Sequence, residues 1–215
     1  MGLKKPKQPR LDPYNAFLNI PYDNQFQNLY LAYISGLSAF GLFPKATLEI
    51  PGSKRRLDRI FGLIQTCGYS FHDLSRVQLD RKAPATPRFN MPFELGLAVA
   101  WAMVQNNDQI WFVFESVKRR VQKSLSDLNG TDIYIHDGTV RGIFRELNNA
   151  LVRSEYRPTQ RQMQSIYRKL KQSCLKVMHD KGAKSVFEAS VFKELVVVAG
   201  TLAKLYIPRL SRTLV

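Results

Sequence analysis

"QIWFVFESVKRRVQKSLSDLNGTDIYIH" (residues 109–136) sets two short apolar runs on either side of one charged segment. "QIWFVFE" (109–115) and "DIYIH" (132–136) have the length and the β-branched and aromatic content of buried strands. Residues 117–127 between them repeat apolar positions at helical spacing, with Lys118, Arg119, Arg120 and Lys123 reading as a solvated face. A helix placed between two strands is a crossover, and a crossover joins parallel strands. Gly130 suits a helix-ending position, so "SLSDLNGTD" (124–132) reads as a turn rather than as a ligand contact through Asn129 or Asp132.

The same unit recurs upstream. "NAFLNIP" (15–21), "PKATLEI" (44–50) and "YSFHDL" (69–74) read as strands, and about 24–40, 55–66, 92–105 and 139–153 as helices. Five strands alternating with helices predict an α/β fold: a doubly wound, five-stranded parallel sheet with helices on both faces. After "SEYRPT" (154–159) the strand signal stops, leaving helical stretches over about 159–179 and 185–206 joined by "HDKGAKS". The second, ending "FKELVVVAGTLAKLY", is apolar on too many sides to face water alone, so it packs on the sheet or on another subunit or partner protein. The expected division is a basic arm at 1–13, an α/β unit at 14–154 and a C-terminal helical hairpin at 155–215.

With 215 residues, 45% of them hydrophobic, the chain can close a full core. Its 32 Lys and Arg against 17 Asp and Glu give a formal charge of +15, which makes phosphate-bearing ligands natural partners and nonspecific nucleic-acid binding an expected side effect. No uninterrupted apolar run is long enough to span a bilayer, and "MGLKKPKQPR" lacks a signal-like apolar stretch; a cytoplasmic protein is expected. Cys67 and Cys174 lie far apart, which gives neither a metal spacing nor a disulfide framework and reads as two buried free thiols. No P-loop, serine-hydrolase elbow, EF-hand loop or dinucleotide glycine fingerprint is present.

Ligands of open parallel sheets sit beyond the carboxyl ends of the strands, where strand order reverses. There the first strand delivers Asn19, Pro21, Tyr22 and Asp23, the second Glu49 and "PGSKRR" (51–56), and the third Asp73, Ser75 and Arg76. Lys54, Arg55, Arg56 and Arg59 at a helix start fit phosphates, and fit a solvated helix face as well. His72 and His136 are bases by type, but on strands they read as structural groups.

"RFNMPFELGLAVAW" (88–101) holds a single carboxylate, Glu94. Asn90 suits the cap and Pro92 the first turn, which places Glu94 where a helix-end charge contributes roughly 0.3–1 kcal/mol. That position predicts a low pKa and an ionised group, suited to positive charge developing on a sugar and poorly suited to general acid work. Before it, "LDRKAPATPRFNM" (79–91) is long for a strand-to-helix turn and carries Arg81, Lys82 and Arg88, as a cover over a ligand would.

A first strand ending "NIPYD" (19–23), a third ending in Asp73 and a loop leading to "FNMPFELGLA" (89–98) resemble bacterial TIR-like proteins and the related nucleoside 2-deoxyribosyltransferase-like fold, over about 15–153. The resemblance implies a flavodoxin-like sheet and an enzyme that acts on an N-glycosidic bond, either cleaving or cyclising NAD or acting as a nucleoside deoxyribosyltransferase-like glycosidase, with no external cofactor needed. It implies Glu94 as the acting carboxylate, Asp73 as its orienter or a holder of a sugar hydroxyl, and Tyr22 and Asp23 beside the ribose. With the strand-end rule, the binding set becomes Asn19, Tyr22, Asp23, Arg56, Arg76 and Asn90, no metal is called for, and anti-phage defence is the implied setting. The competing readings are a module that binds a nucleotide signal without cutting it and a basic nucleic-acid-binding protein.

Overall fold

Alternate side chains of the first strand go to two different cores, and that alternation organises the molecule. In the computed structural model, which describes residues 10–49, 55–77, 79–80, 86–104, 109–154 and 156–212, this strand is β1 (Asp12–Asn19). Its Ala16 and Leu18 join a core with helix α1 (Gln27–Ala39), and Phe17 joins another with α2 (Arg56–Thr66) and α3 (Asn90–Val104). The remaining strands of the sheet are β2 (Phe43–Lys45), β3 (Cys67–Asp73), β6 (Ile110–Glu115) and β7 (Ile133–Ile135). A separate antiparallel pair, β4 (Leu79–Asp80) and β5 (Thr86–Pro87), lies within the long loop before α3. The sheet order is β2-β1-β3-β6-β7 with every pairing parallel, the flavodoxin-like order expected of a doubly wound chain.

The short α4 (Arg120–Ser124) packs with α3 over β6, and α5 (Val140–Ala150) lies beside α1 on the opposite face. Gly36 marks the close approach of α1 and α5, because a Cβ there would lie 2.5 Å from Leu147. Beyond α1 comes a third layer. α6 (Gln160–Asp180), started by a Thr159–Gln162 capping box, and α7 (Ala189–Tyr206) pack on each other and on α1. Every residue of α1 from Leu29 to Ala39 is consequently buried, which is why its sequence lacks a polar stripe.

Element edges depart from the sequence pattern in a few places. β1 begins at Asp12, where it meets Cys67, and ends at Asn19, short of Pro21. β2 stops at Lys45 because Glu49 turns back to accept a hydrogen bond from the Ala46 N–H (3.1 Å), closing a 3-10 turn over Thr47–Glu49. The helix expected over 117–127 shrinks to α4 and a 3-10 turn (Ser126–Leu128), followed by Gly130 at φ +92°. Arg120 leaves the exposed face assigned to it and pairs with the buried Glu115, donating also to the Ser75 carbonyl (2.7 Å). Cys67 and Cys174 are buried and free. Among the described residues no helix is long and apolar enough to cross a membrane. Residues 1–9 of the basic arm, Lys54, Arg81 and Lys82 lie outside the described residues.

A chain ending near Arg157 lacks the layer that covers α1. Exposing a wholly apolar helix face should produce aggregation, read by light scattering and by the melting profile. A monodisperse truncated protein with the melting temperature of the full chain would show that the sheet holds α1 without help.

Candidate functional site

β2 lies on one side of β1 and β3 on the other, so strand order reverses at the carboxyl ends of β1 and β3. Asn19 ends β1 there, buried, and its side-chain nitrogen lies 2.9 Å from both His72 Nδ1 on β3 and the Met91 carbonyl on α3. The two amide hydrogens therefore tie two strands and a helix together. Burial pushes His72 down to about 3, so the ring stays neutral, with Nδ1 accepting and Nε2 directed at Ser70 Oγ (3.0 Å). His72 is a structural group, in keeping with its strand position.

A cleft of about 110 Å³ opens over this junction, lined among others by Asn19, Tyr22, Arg56, Arg88, Asn90 and Glu94. Four elements supply those six side chains: the β1 end, the α2 start, the loop before α3 and α3 itself. Glu94 is 6% exposed and, among the described residues, accepts no hydrogen bond. Burial pushes its carboxyl up to about 7, with the Arg56 charge opposing in part. The low pKa expected of a first-turn glutamate is thus overturned. α3 starts at Asn90 itself, so Asn90 lies inside the helix rather than capping it, and Glu94 is the fifth helical residue, past the free N–H groups. Tyr22 donates from its hydroxyl to the Leu18 carbonyl (3.1 Å) and is raised by burial and then by Glu94.

Asp23 does not line this cleft. It accepts from the Phe26 N–H (3.1 Å) and pairs with Arg76 (3.3 Å) and Arg88 (3.5 Å), pinning the loops that follow β3 and precede α3 to the β1 end. Arg76 lines a neighbouring open groove of about 320 Å³. Asp73 lies in neither space. Its Oδ2 accepts from the Tyr33 hydroxyl (2.7 Å) and lies 3.1 Å from His136 Nε2, and its Oδ1 accepts from the Ser75 N–H (2.9 Å). Burial alone would raise Asp73, but the bonds from His136 and Ser75 outweigh it and leave the carboxyl below its usual range.

Ser75, His136 and Asp73 form a serine–histidine–aspartate set that sequence order hides. It is not a nucleophilic relay. A relay puts hydroxyl and carboxylate on opposite ring nitrogens, whereas here both face Nε2 (2.9 and 3.1 Å) and Nδ1 accepts from the Gly138 N–H (3.1 Å). The network welds the ends of β3 and β7 together. Strand-end reasoning passed over the lining residues Ile20 and Met91 and the polar Thr47, the last hidden by the reading of 44–50 as a strand.

The buried Glu94 predicts a pH-dependent cost. Below its ordinary value of 4.5 both folded and unfolded chains hold the proton, and as pH rises toward about 7 the unfolded chain releases it first, so stability falls. The full loss, present above pH 7, is on the order of 1–3 kcal/mol. Glu94→Gln cannot ionise and should therefore unfold at a higher temperature than the parent at pH 8, with the gap closing near pH 4. Equal melting temperatures at pH 8 would place the carboxylate in water rather than in the cleft wall.

Cleft geometry stands by itself as the guide to function, since no protein-family model, curated protein or solved structure matches this chain.

Proposed function

We propose that this protein is a nucleotide N-glycosidase that cleaves NAD, with Glu94 as the acting carboxylate, in the anti-phage setting that the TIR-like resemblance of its sequence implies. The observation that carries the reading is a buried carboxyl that accepts no hydrogen bond among the described residues, in a cleft at the switch point of the sheet, a place where maximal stability would favour a neutral residue. Asn19, Tyr22 and Asn90 border the space for the ribose, and Arg56 and Arg88 offer charge to a pyrophosphate.

The cleft also bears on the choice of substrate. Glu94 is the one carboxyl among its described lining residues. A neutral nucleoside base needs a proton in order to leave, which takes a second acid. A pyridinium base departs as a neutral molecule, taking the electron pair of the breaking C1′–N bond, and needs none. Ionised Glu94 then faces the positive charge left on the ribose, and its raised proton affinity fits it to take the proton of the water that adds to C1′.

One observation favours a second reading, a module that binds a nucleotide and cuts nothing. Asp73, the expected orienter of Glu94, is committed to Tyr33, Ser75 and His136. Purified protein incubated with NAD and with deoxynucleosides separates the two readings by chromatography of the released base. Release from NAD, rising with pH to a plateau above about 7 and falling about a hundredfold or more in Glu94→Gln, is the expected result. NAD that binds and is recovered intact would establish the binding module instead.

A further inference from the structure

The outer face of α6 carries charge of one sign. Residues 156–179 include six Lys or Arg and no Asp or Glu, in a chain where the totals are 32 and 17. Met163, Ile166, Tyr167, Leu170, Cys174 and Val177 turn inward. At 3.6 residues per turn, Arg161, Arg168, Lys169 and Lys176 fall within about 100° of one another on the opposite side and extend over about 22 Å of helix. All four are exposed.

Elsewhere acids answer the arginines: Glu115 pairs with Arg120, Asp23 with Arg76, and Asp137 and Glu146 with Arg145. The side chains of Arg161, Arg168, Lys169 and Lys176 make no ion pair or hydrogen bond with any described residue. Asp180, the one acid of α6, ends the helix beside His179 (3.5 Å). Helix stability does not favour this arrangement. A helix gains from an acid in its first turn and loses by a base there, yet α6 has no acid in that turn and Arg161 is its second residue.

The surroundings of the charges narrow the partner. The apolar side of α6 already packs on α1 and α7, and Leu175 is its one exposed large apolar side chain. A single leucine is too small an anchor for a bilayer or for the centre of a protein interface. Tyr167, the one aromatic residue of α6, is buried, so no ring is offered to stack an unpaired base. What is offered is a straight row of cations with the neutral donor Gln172 among them, which suits phosphates on a stiff ladder.

We propose that the outer face of α6 binds the phosphate backbone of a nucleic-acid duplex, without reading sequence, through Arg161, Arg168, Lys169 and Lys176. Their span equals the rise of about six base pairs. The proposal is independent of the role given to Glu94.

Fluorescence anisotropy of the full chain with labelled DNA and RNA duplexes of one sequence, across a salt series, tests it. Both duplexes carry the phosphate ladder, and the tighter binder names the source. Arg168→Gln, Lys169→Gln and Lys176→Gln combined should lower the slope of log affinity against log salt by about 2–3 and weaken binding at least about tenfold near 0.1 M salt. Glutamine keeps helix propensity, so the melting temperature should hold. Lys118→Gln, Arg119→Gln and Lys123→Gln combined remove the same charge at α4, on the opposite face of the sheet, and should leave the slope unchanged. The charge-keeping set Arg168→Lys, Lys169→Arg and Lys176→Arg should retain it as well. No binding to either duplex, or equal losses in the two neutralised sets, would overturn the proposal, the latter because the +15 charge would then act as a whole. Affinity for phosphatidylserine vesicles that falls in the α6 set while duplex affinity does not would also overturn it, and would assign the face to anionic lipid.

Discussion

The Asn19 side chain is the joint on which the rest of the site depends. It is buried, and its amide nitrogen meets β3 at His72 and α3 at Met91. Losing either partner would leave a buried polar group unsatisfied, at a cost of about 1–3 kcal/mol. The joint is also insensitive to pH. Burial holds His72 neutral down to about 3, so Nδ1 goes on accepting wherever the fold survives. Glu94, one helical turn beyond Met91, changes charge near 7. The Asn19 joint therefore keeps its hydrogen bonds while the charge of the neighbouring Glu94 changes.

Three acids lie buried near the carboxyl ends of the strands, and they differ in kind. Asp73 is surrounded by donors from Tyr33, Ser75 and His136 strong enough to overcome its desolvation. Glu115 pairs with Arg120 and accepts from the backbone N–H groups of Ser116 and Val117. Both are saturated, and both join loops to strands. Glu94 has only the field of Arg56 to offset its burial, and burial wins. Among the three, Glu94 is the carboxyl whose burial is least compensated.

The sheet was legible because apolar runs of strand length alternate with helical periods, and all five strands lie where those runs are. Edges were less legible, since Glu49 closing a turn on Ala46 depends on geometry that composition does not carry. At the site, strand ends pointed to Asn19, Tyr22 and Arg56, and the segment 88–101 to Asn90 and Glu94; these five share one cleft, while Asp23, Asp73 and Arg76 lie outside it. The charge state of Glu94 was misread because helix position argues for an anion, while burial depends on α2 and the β1 loop, far away in sequence. The partners of Asp73 were hidden for the same reason: Tyr33 is 40 residues before it, and Ser75 and His136 meet across 61.

α6 and α7 explain a feature that the sheet alone does not. Covering α1 lets that helix do without charged side chains, and the chain that follows α7 closes a cavity against the start of β1. β1 thus has Tyr14 near one end and Asn19 at the other, with the Glu94 cleft just beyond. Its eight residues span about 25 Å at the usual rise of a strand. β1 and β3 both connect the two spaces, and α1, whose end lines the cavity, packs over the sheet between them. The second half of β1, from Ala16 to Asn19, and α1 from Leu29 to Ala39 are fully buried, and close-packed elements of that kind transmit strain rather than absorb it.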